Sequence, residues 1–282
     1  MGFLRLFIES TKPKVMIQKN IFYFLCGYFI SVFYYQQFSI IKSFIALLIF
    51  IAMYSCVYVI NDIFDYKKDR RHPIKKHRPI PSKRLNPTHA LLMCATIYIS
   101  GFIASVLLIN LLYAFCMFLL VAGNVMYSHP AFKTKKFIVS AGLILALLQY
   151  LKLLAGWSIN AGEFSHPVIF FMIPACLYLY SLLQVVINSD HYKGRFDITR
   201  KRERFLGHTL MILPAILITI LLFTELVLYI IFTIIPIYFA FIFLVRKLRL
   251  HDAVLKINKY MTYINSLFVT LNTFFFIGIL HI

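Results

Sequence analysis

Asn61-Asp62-Ile63-Phe64-Asp65-Tyr66-Lys67-Lys68-Asp69-Arg70-Arg71-His72-Pro73-Ile74-Lys75-Lys76-His77-Arg78-Pro79-Ile80-Pro81-Ser82 follows directly on an apolar run that ends at Ile60. It holds Asp62, Asp65 and Asp69, three of the ten acidic residues of the chain, and nine basic residues crowd the segment from Lys67 to Arg84. If the preceding helix continues, positions 62, 65 and 69 are spaced i, i+3, i+7 and their carboxylates share one face. Three such charges side by side repel unless cations neutralise them. Mg²⁺ bridging a phosphorylated substrate meets that need, because it takes hard oxygen ligands and accepts phosphate oxygens in its shell. Lys75, Lys76 and Arg78 follow closely enough to grip the remaining phosphate oxygens, Arg as a fixed fork and Lys as a point charge. Pro73, Pro79 and Pro81 predict an irregular hairpin here instead of a continued helix. A merely solvated, topology-fixing loop would explain the bases but not the acids.

What surrounds this segment decides its setting. The chain of 282 residues is 61% hydrophobic and 14% charged, far from a soluble composition. Apolar runs long enough to cross a hydrocarbon core lie near 20–36, 41–60, 89–109, 111–127, 137–158, 167–188, 209–224, 226–245 and 261–281, which predicts an all-α, polytopic membrane protein with nine transmembrane helices. The net charge of +19 raises the question of nucleic acid, but its placement answers differently. Basic residues concentrate before span one and after spans two, four, six and eight, while the alternate loops are nearly bare. The positive-inside rule makes the basic side cytoplasmic, with the N-terminus inside and the C-terminus on the opposite side. Topology thus accounts for most of the charge, and no nucleic-acid partner is expected. The opening residues do not read as a cleavable signal peptide. Cys26, Cys56, Cys94, Cys116 and Cys176 all sit in apolar runs, as small packing residues do.

Other residues gather around the same membrane side. Residues 8–20 read as a basic helix in the cytoplasmic interface, either a plain anchor or a segment that brings Lys14 or Lys19 to a substrate phosphate. Span four ends at Tyr127-Ser128-His129-Pro130, with Lys133, Lys135 and Lys136 behind it; Tyr127 and Lys133 are candidates for the pocket mouth. Span five carries Lys152, and a cation inside a span costs at least about 2.5 kcal/mol on insertion scales, so it reads as a site residue. Gln149 and Tyr150 beside it suit helix bridging. Span six ends in Gln184, Asn188 and Asp190, followed by Lys193 and Asp197, at the depth of Asp62. Two acidic clusters after even-numbered spans predict one cavity with two metal-binding lips.

These residues resemble the UbiA superfamily of intramembrane prenyltransferases. Asn61-Asp62-x-x-Asp65-x-x-x-Asp69 followed by Arg78-Pro79-Ile80-x-Ser82 is similar to that family's first aspartate-rich motif. The opening Lys12-Pro13-Lys14, Tyr127-Ser128 with its trailing bases, Lys152 with Ala155-Gly156, and Asp190 with Gly194 extend the likeness over most of the chain. The resemblance implies a single domain over 1–282, with nine helices around a central cavity open to lipid and cytoplasmic motif loops at about 61–88 and 189–208. It implies Mg²⁺ held between the two motifs by Asn61, Asp62, Asp65, Asp69, Asp190 and Asp197, with Asp62, Asp65, Asp69 and Asp190 catalytic. Lys75, Arg78, Tyr127, Lys133, Lys152, Asn188 and Lys193 would bind substrate.

Within that superfamily, His72-Pro73-x-Lys75-x-x-Arg78-Pro79 is similar to the decaprenyl-phosphate phosphoribosyltransferases. That likeness implies transfer of phosphoribosyl from PRPP to a polyprenyl phosphate, in a bacterial inner (plasma) membrane. The alternative is transfer of a polyprenyl chain from its diphosphate to an aromatic or quinone precursor. The second motif departs from the Asp-x-x-x-Asp run of aromatic prenyltransferases, and Lys83 stands where relatives commonly carry Gly. A transporter is the reading from another class; it would put acids inside the spans along a path, whereas here they cluster at one interface.

Overall fold

The structure, a computed structural model, describes residues 2–132, 134 and 137–162. Among the described residues every regular element is helical, with no strand. In chain order they form α1 (Phe3–Ser10), α2 (Pro13–Val15), a π-helical segment (Met16–Ile21), α3 (Phe22–Tyr35), α4 (Ile40–Phe64), α5 (Tyr66–Asp69), a 3₁₀ turn (Lys75–His77), α6 (Pro87–Leu108), α7 (Leu111–Ser128), a second 3₁₀ turn (Pro130–Phe132) and α8 (Ile138–Trp157). Among them, α4, α6, α7 and the Ser140–Trp157 part of α8 are long and apolar enough to cross a membrane, and Phe22–Val32 is a shorter apolar helix. These five helices fall on the first five predicted spans. Predicted spans six to nine, from 167 onward, lie outside the described residues.

The helix starts are written in the sequence. Asn86 accepts a hydrogen bond from the Thr88 amide at 2.8 Å, and Pro87 takes the first helical position of α6. Asn110 accepts from the Tyr113 amide at 2.7 Å and so opens α7, with only Ile109 and Asn110 between it and α6. That tight reversal makes α6 and α7 antiparallel neighbours.

α4 lies at the centre and α6 at the periphery. Phe50, Met53 and Cys56 of α4 are fully covered, whereas Ile99, Ile103 and Leu107 of α6 face outward, as a lipid-facing helix does. The buried Tyr113 hydroxyl of α7 donates to the Ala46 carbonyl of α4 at 2.7 Å. α3 and α8 run parallel and touch backbone to backbone. A Cβ on Gly156 would meet the Phe24 carbonyl oxygen at 1.9 Å, and one on Gly27 the Leu153 carbonyl oxygen at 1.9 Å. Small residues bring membrane helices together in this way. The four described cysteines are free and buried in this packing; Cys176 lies outside the described residues.

The two ends of the bundle are distinct. At one, the Trp157 indole lies 5.3 Å from the rings of Tyr34 and Tyr35, and Asn110 Nδ2 donates to the Ser158 carbonyl at 2.6 Å. At the other, the ends of α4 and α7 meet where the Phe64 ring stands edge-on to His129, 4.7 Å away. The aspartate motif and the loop after α7 therefore share one end, as the charge pattern requires.

The N-terminal segment departs from the sequence reading. No single helix spans 8–20. α1 stops at Ser10, and the helix restarts at Pro13 in a run that continues through the π segment into α3. The break falls at Lys12, whose backbone is left-handed (φ 52°, ψ 58°). The residue before a proline is disfavoured in the right-handed helical region, so the helix cannot pass through Lys12-Pro13.

Candidate active site

The site begins where α4 ends. Asp62 occupies the last turn of α4 and is fully buried. Asp65 closes that helix; its amide donates to the Asn61 carbonyl at 2.9 Å, and its own carbonyl receives the Asp69 amide at 2.8 Å. The chain thereby kinks but keeps winding, which sets Asp69, also buried, beside Asp62. The shared carboxylate face expected from the spacing is present for these two. Asn61 and Asp65 are half-buried next to them.

The cations are supplied by the protein itself. Arg78 Nη1 donates to Asp62 Oδ1 at 2.9 Å and to Asp69 Oδ2 at 3.1 Å, one guanidinium nitrogen bridging two carboxylates. Lys75 Nζ stands 3.4 Å from Asp69 Oδ1. Lys12 Nζ donates to Asp62 Oδ1 at 2.7 Å and lies 5.6 Å above the Tyr58 ring. Lys75 and Arg78, read from sequence as phosphate grips, here lie against the acids. Burial lowers the Lys12 pKa from the usual lysine value, and the neighbouring Asp62 charge opposes that shift.

The loop that delivers Arg78 is built by local rules. His72 Nδ1 accepts from the Ile74 and Lys75 amides at 3.2 and 3.3 Å, which winds Lys75–His77 into a single 3₁₀ turn. The expected hairpin therefore contains one short helical turn. Pro79 keeps Arg78 extended (φ −64°, ψ 154°). Ile80 and Leu85 plug the loop into a buried cluster with Leu6, Phe7, Val59, Ile60 and Ala90. Arg84 ties the outside together: Nη2 donates to the His77 carbonyl at 2.7 Å and to Glu9 Oε1 at 3.1 Å, and Nε to Ser82 Oγ at 3.1 Å.

Deeper in the bundle lies a second polar group. Lys152 is buried on α8, and its Nζ donates to Asn20 Oδ1 at 2.7 Å and Gln149 Oε1 at 3.0 Å. It stands 5.0 Å from the Tyr54 ring centre and 5.9 Å from that of Tyr23. Asn20 Nδ2 donates in turn to the Tyr58 hydroxyl at 2.6 Å. Tyr54, Tyr58 and Asp62 are spaced i, i+4, i+8 on α4 and so share one face. A polar stripe thus descends from Asp62 to Lys152. Asn20 enters it from the π segment, a helix form often found at functional sites.

Of the residues singled out from sequence, Asp62, Asp69, Lys75 and Arg78 converge directly, with Asn61 and Asp65 on the same turns. Lys152 joins them through the stripe. Tyr127 is half-buried in the last turn of α7, at the same end. Lys133, Asn188, Asp190, Lys193 and Asp197 lie outside the described residues. Lys14 is exposed, and the N-terminal lysine bonded to the motif is Lys12 instead. Lys12, Asn20, Tyr54, Tyr58 and Arg84 were missing from the sequence-based set. The four-residue spacing of Tyr54 and Tyr58 with Asp62 is the signal that could have found two of them.

The donor set suits a hard cation. Asp62 Oδ2 is buried with no hydrogen-bond partner, while Asp62 Oδ1 and both Asp69 oxygens are taken by Lys12, Arg78 and Lys75. Among the described residues no three His, Cys, Asp or Glu side chains gather to hold a metal, so Asp62 and Asp69 would by themselves supply only part of a cation's shell. Oxygens from a ligand or another segment must complete it.

A bundle of apolar helices with buried carboxylates and paired bases gathered at one end defines an integral membrane protein. Residues 21–269 match UbiA, the UbiA prenyltransferase family, and the chain belongs to that family. A UbiA homologue from Archaeoglobus fulgidus bound to GPP and Mg²⁺ has the same fold, with a TM-score of 0.71 at 16% identity over 97% of this chain and 99% of that one. The same homologue bound to DMAPP and Mg²⁺ gives 0.69 at 16% identity, over 96% and 99%. A structure of digeranylgeranylglyceryl phosphate synthase gives 0.72 at 23% identity, over 97% and 98%. In sequence, nodulation protein NoeC of Azorhizobium caulinodans is 36% identical over 62 residues, 22% of this chain and 20% of NoeC. Protein y4nM of Sinorhizobium fredii is 26% identical over 195 residues, 67% of this chain and 37% of y4nM. The chain therefore spans well under two thirds of either relative.

Proposed function

We propose that this chain is a Mg²⁺-dependent membrane transferase acting on a polyprenyl (di)phosphate, and that it moves a phosphoribosyl group from PRPP to a polyprenyl phosphate. The observation that carries the reading is the buried Asp62–Asp69 pair bridged by Arg78, with Asp62 Oδ2 left open. Asp62, Asp65 and Asp69 with Asn61 form one metal-holding lip, and Asp190 and Asp197 the other. Bound Mg²⁺ would offset the charge that develops on a leaving diphosphate. Arg78, Lys75, Lys133 and Lys193 hold phosphate oxygens, with Tyr127 and Asn188 at the mouth and Lys152 deeper in. In the transfer, an oxygen of the lipid phosphate bonds to the ribose C1 as the C1–diphosphate bond breaks and the diphosphate departs with both electrons. The site opens on the cytoplasmic side of a bacterial inner membrane, where PRPP is dissolved, with the N-terminus on that side and the C-terminus opposite.

The preference for phosphoribosyl transfer rests on the turn that carries the bases. His72 organises it, Pro79 extends Arg78, and Lys75 and Arg78 both reach the acids. A second reading is favoured by ligands of the Archaeoglobus fulgidus homologue, GPP and DMAPP with Mg²⁺: the chain would then move a prenyl group from its diphosphate to an aromatic or quinone acceptor. Purified protein in lipid nanodiscs, given Mg²⁺, labelled PRPP and polyprenyl phosphate, separates the two. Label entering the lipid fraction supports phosphoribosyl transfer. Consumption of labelled prenyl diphosphate only when an aromatic acid is present supports the second reading. Turnover of neither sinks both.

A further inference from the structure

We infer that Lys12 is a displaceable counter-ion that guards the metal position at Asp62, so that a divalent cation and a phosphate-bearing ligand enter this site together. The inference rests on the reading above in one respect, that both kinds of ligand use this site.

Lys12 and Arg78 are both bonded to the same oxygen, Asp62 Oδ1, at 2.7 and 2.9 Å. The other oxygen, Oδ2, is buried and unbonded. A divalent ion reaching Oδ2 alone would stand one carboxylate's width from two positive groups and be repelled by both. The two groups differ in how firmly they are held. Arg78 is also tied to Asp69, and Pro79 fixes its backbone. Lys12 has one carboxylate partner, on a flexible stem at a break between helices. It is therefore the cation free to swing away. An arriving phosphate gives the Lys12 ammonium a new partner and relieves the repulsion, so each ligand favours the other. Such coupling is reciprocal in free energy.

Removing the guard makes a counter-intuitive prediction. Lys12→Met keeps the stem volume and deletes the charge. Mn²⁺ titrated into the full chain in nanodiscs, with no phosphate present and free ion read by electron paramagnetic resonance, should bind about tenfold tighter to Lys12→Met than to wild type. Adding Asp62→Asn to that variant should erase the gain, which assigns the gain to this carboxylate. Inorganic pyrophosphate should then improve Mn²⁺ binding much more in wild type than in Lys12→Met; complexation in solution is common to both proteins and cancels. Equal or weaker Mn²⁺ binding by Lys12→Met overturns the inference, as does a gain that survives Asp62→Asn. Lys12→Gln, with thermal unfolding followed with and without Mn²⁺, repeats the test should the Met variant fold poorly. If neither protein binds Mn²⁺ with or without pyrophosphate, the inference and the metal-dependent reading fall together. If the exchange is observed but no substrate turns over, the transferase reading falls alone.

Discussion

Lys152 Nζ donates to Asn20 Oδ1 at 2.7 Å, joining the fifth predicted span to the entry of the first. The contact explains how an ammonium is accommodated inside an apolar bundle. Two amide oxygens, from Asn20 and Gln149, and two tyrosine faces stand in for water. Lys152→Met keeps much of the volume and strands both amide oxygens. Leaving a buried polar group unsatisfied costs about 1–3 kcal/mol, so thermal unfolding in nanodiscs should fall by several degrees, whereas Lys152→Arg should retain most of the stability. An unchanged midpoint for the Met variant would refute a structural role for these bonds.

The Asp62–Arg78–Asp69 bridge predicts measurable but modest coupling at the mouth. Arg78→Gln should lower turnover at least 100-fold, and Asp65→Asn should abolish it while leaving the fold intact. Residues that share a partner are not additive, typically by about 0.5–3 kcal/mol. The low end applies here because the Arg78 side chain is 31% exposed and screened by solvent. Measuring kcat/KM for Arg78→Gln, Asp62→Asn and the double variant checks this; fully additive losses would mean that the two residues act independently.

The α3–α8 contact makes a sharper stability prediction. Gly156→Ala drives a Cβ onto the Phe24 carbonyl, and backbone cannot step aside as a side chain can. Overpacking of this kind costs about 1–3 kcal/mol. Gly123→Ala is the control, since its Cβ would meet the Leu148 side chain at 3.1 Å. Unfolding in denaturant should separate the two, with Gly156→Ala clearly the less stable.

How much of this was legible beforehand follows from the physics of each residue. The first five spans were readable because bilayer thickness imposes a length and a composition on any crossing helix. The convergence of Asp62 and Asp69 was readable because 3.6-residue winding persists through the Asp65 kink. That Lys12 would be the N-terminal base at Asp62 was not. Lys12, Lys14 and Lys19 look equivalent in sequence, and the choice depends on the helix break at Lys12-Pro13, whose tertiary consequence no local rule supplies. Likewise Lys152 reads as a site residue from the cost of burying its charge, but its partner Asn20 lies 132 positions away. Pairings across helices are set by packing and leave no trace in local pattern.

Lys83 adds a conformational test. Its backbone is left-handed at φ 64°, the region that favours glycine. A side chain in that region costs roughly 1–2 kcal/mol. Lys83→Gly should therefore fold at least as well as wild type and raise the midpoint of thermal unfolding, offset in part by the greater freedom of glycine in the unfolded chain. Lys83→Val should lower it. The reverse order would show that the Lys83 side chain makes a contribution of its own.

The last prediction concerns α1, which holds the motif loop from outside. Glu9 and Arg84 pair at 3.1 Å with side chains 45% and 41% exposed, so the pair adds little to stability, about 0–1 kcal/mol. Its geometry matters more, because the same Arg84 nitrogen holds the His77 carbonyl next to Arg78. Loosening it should let Arg78 wander without unfolding anything. Arg84→Gln should raise KM for the phosphorylated substrate several-fold, with kcat and the unfolding midpoint nearly unchanged. Glu9→Gln should do the same more weakly. The swap Glu9→Arg with Arg84→Glu restores the pair but not the bond to His77, so it should recover only the part of KM owed to α1. A fall in kcat equal to the loss in kcat/KM would instead place Arg84 in direct contact with the reacting groups.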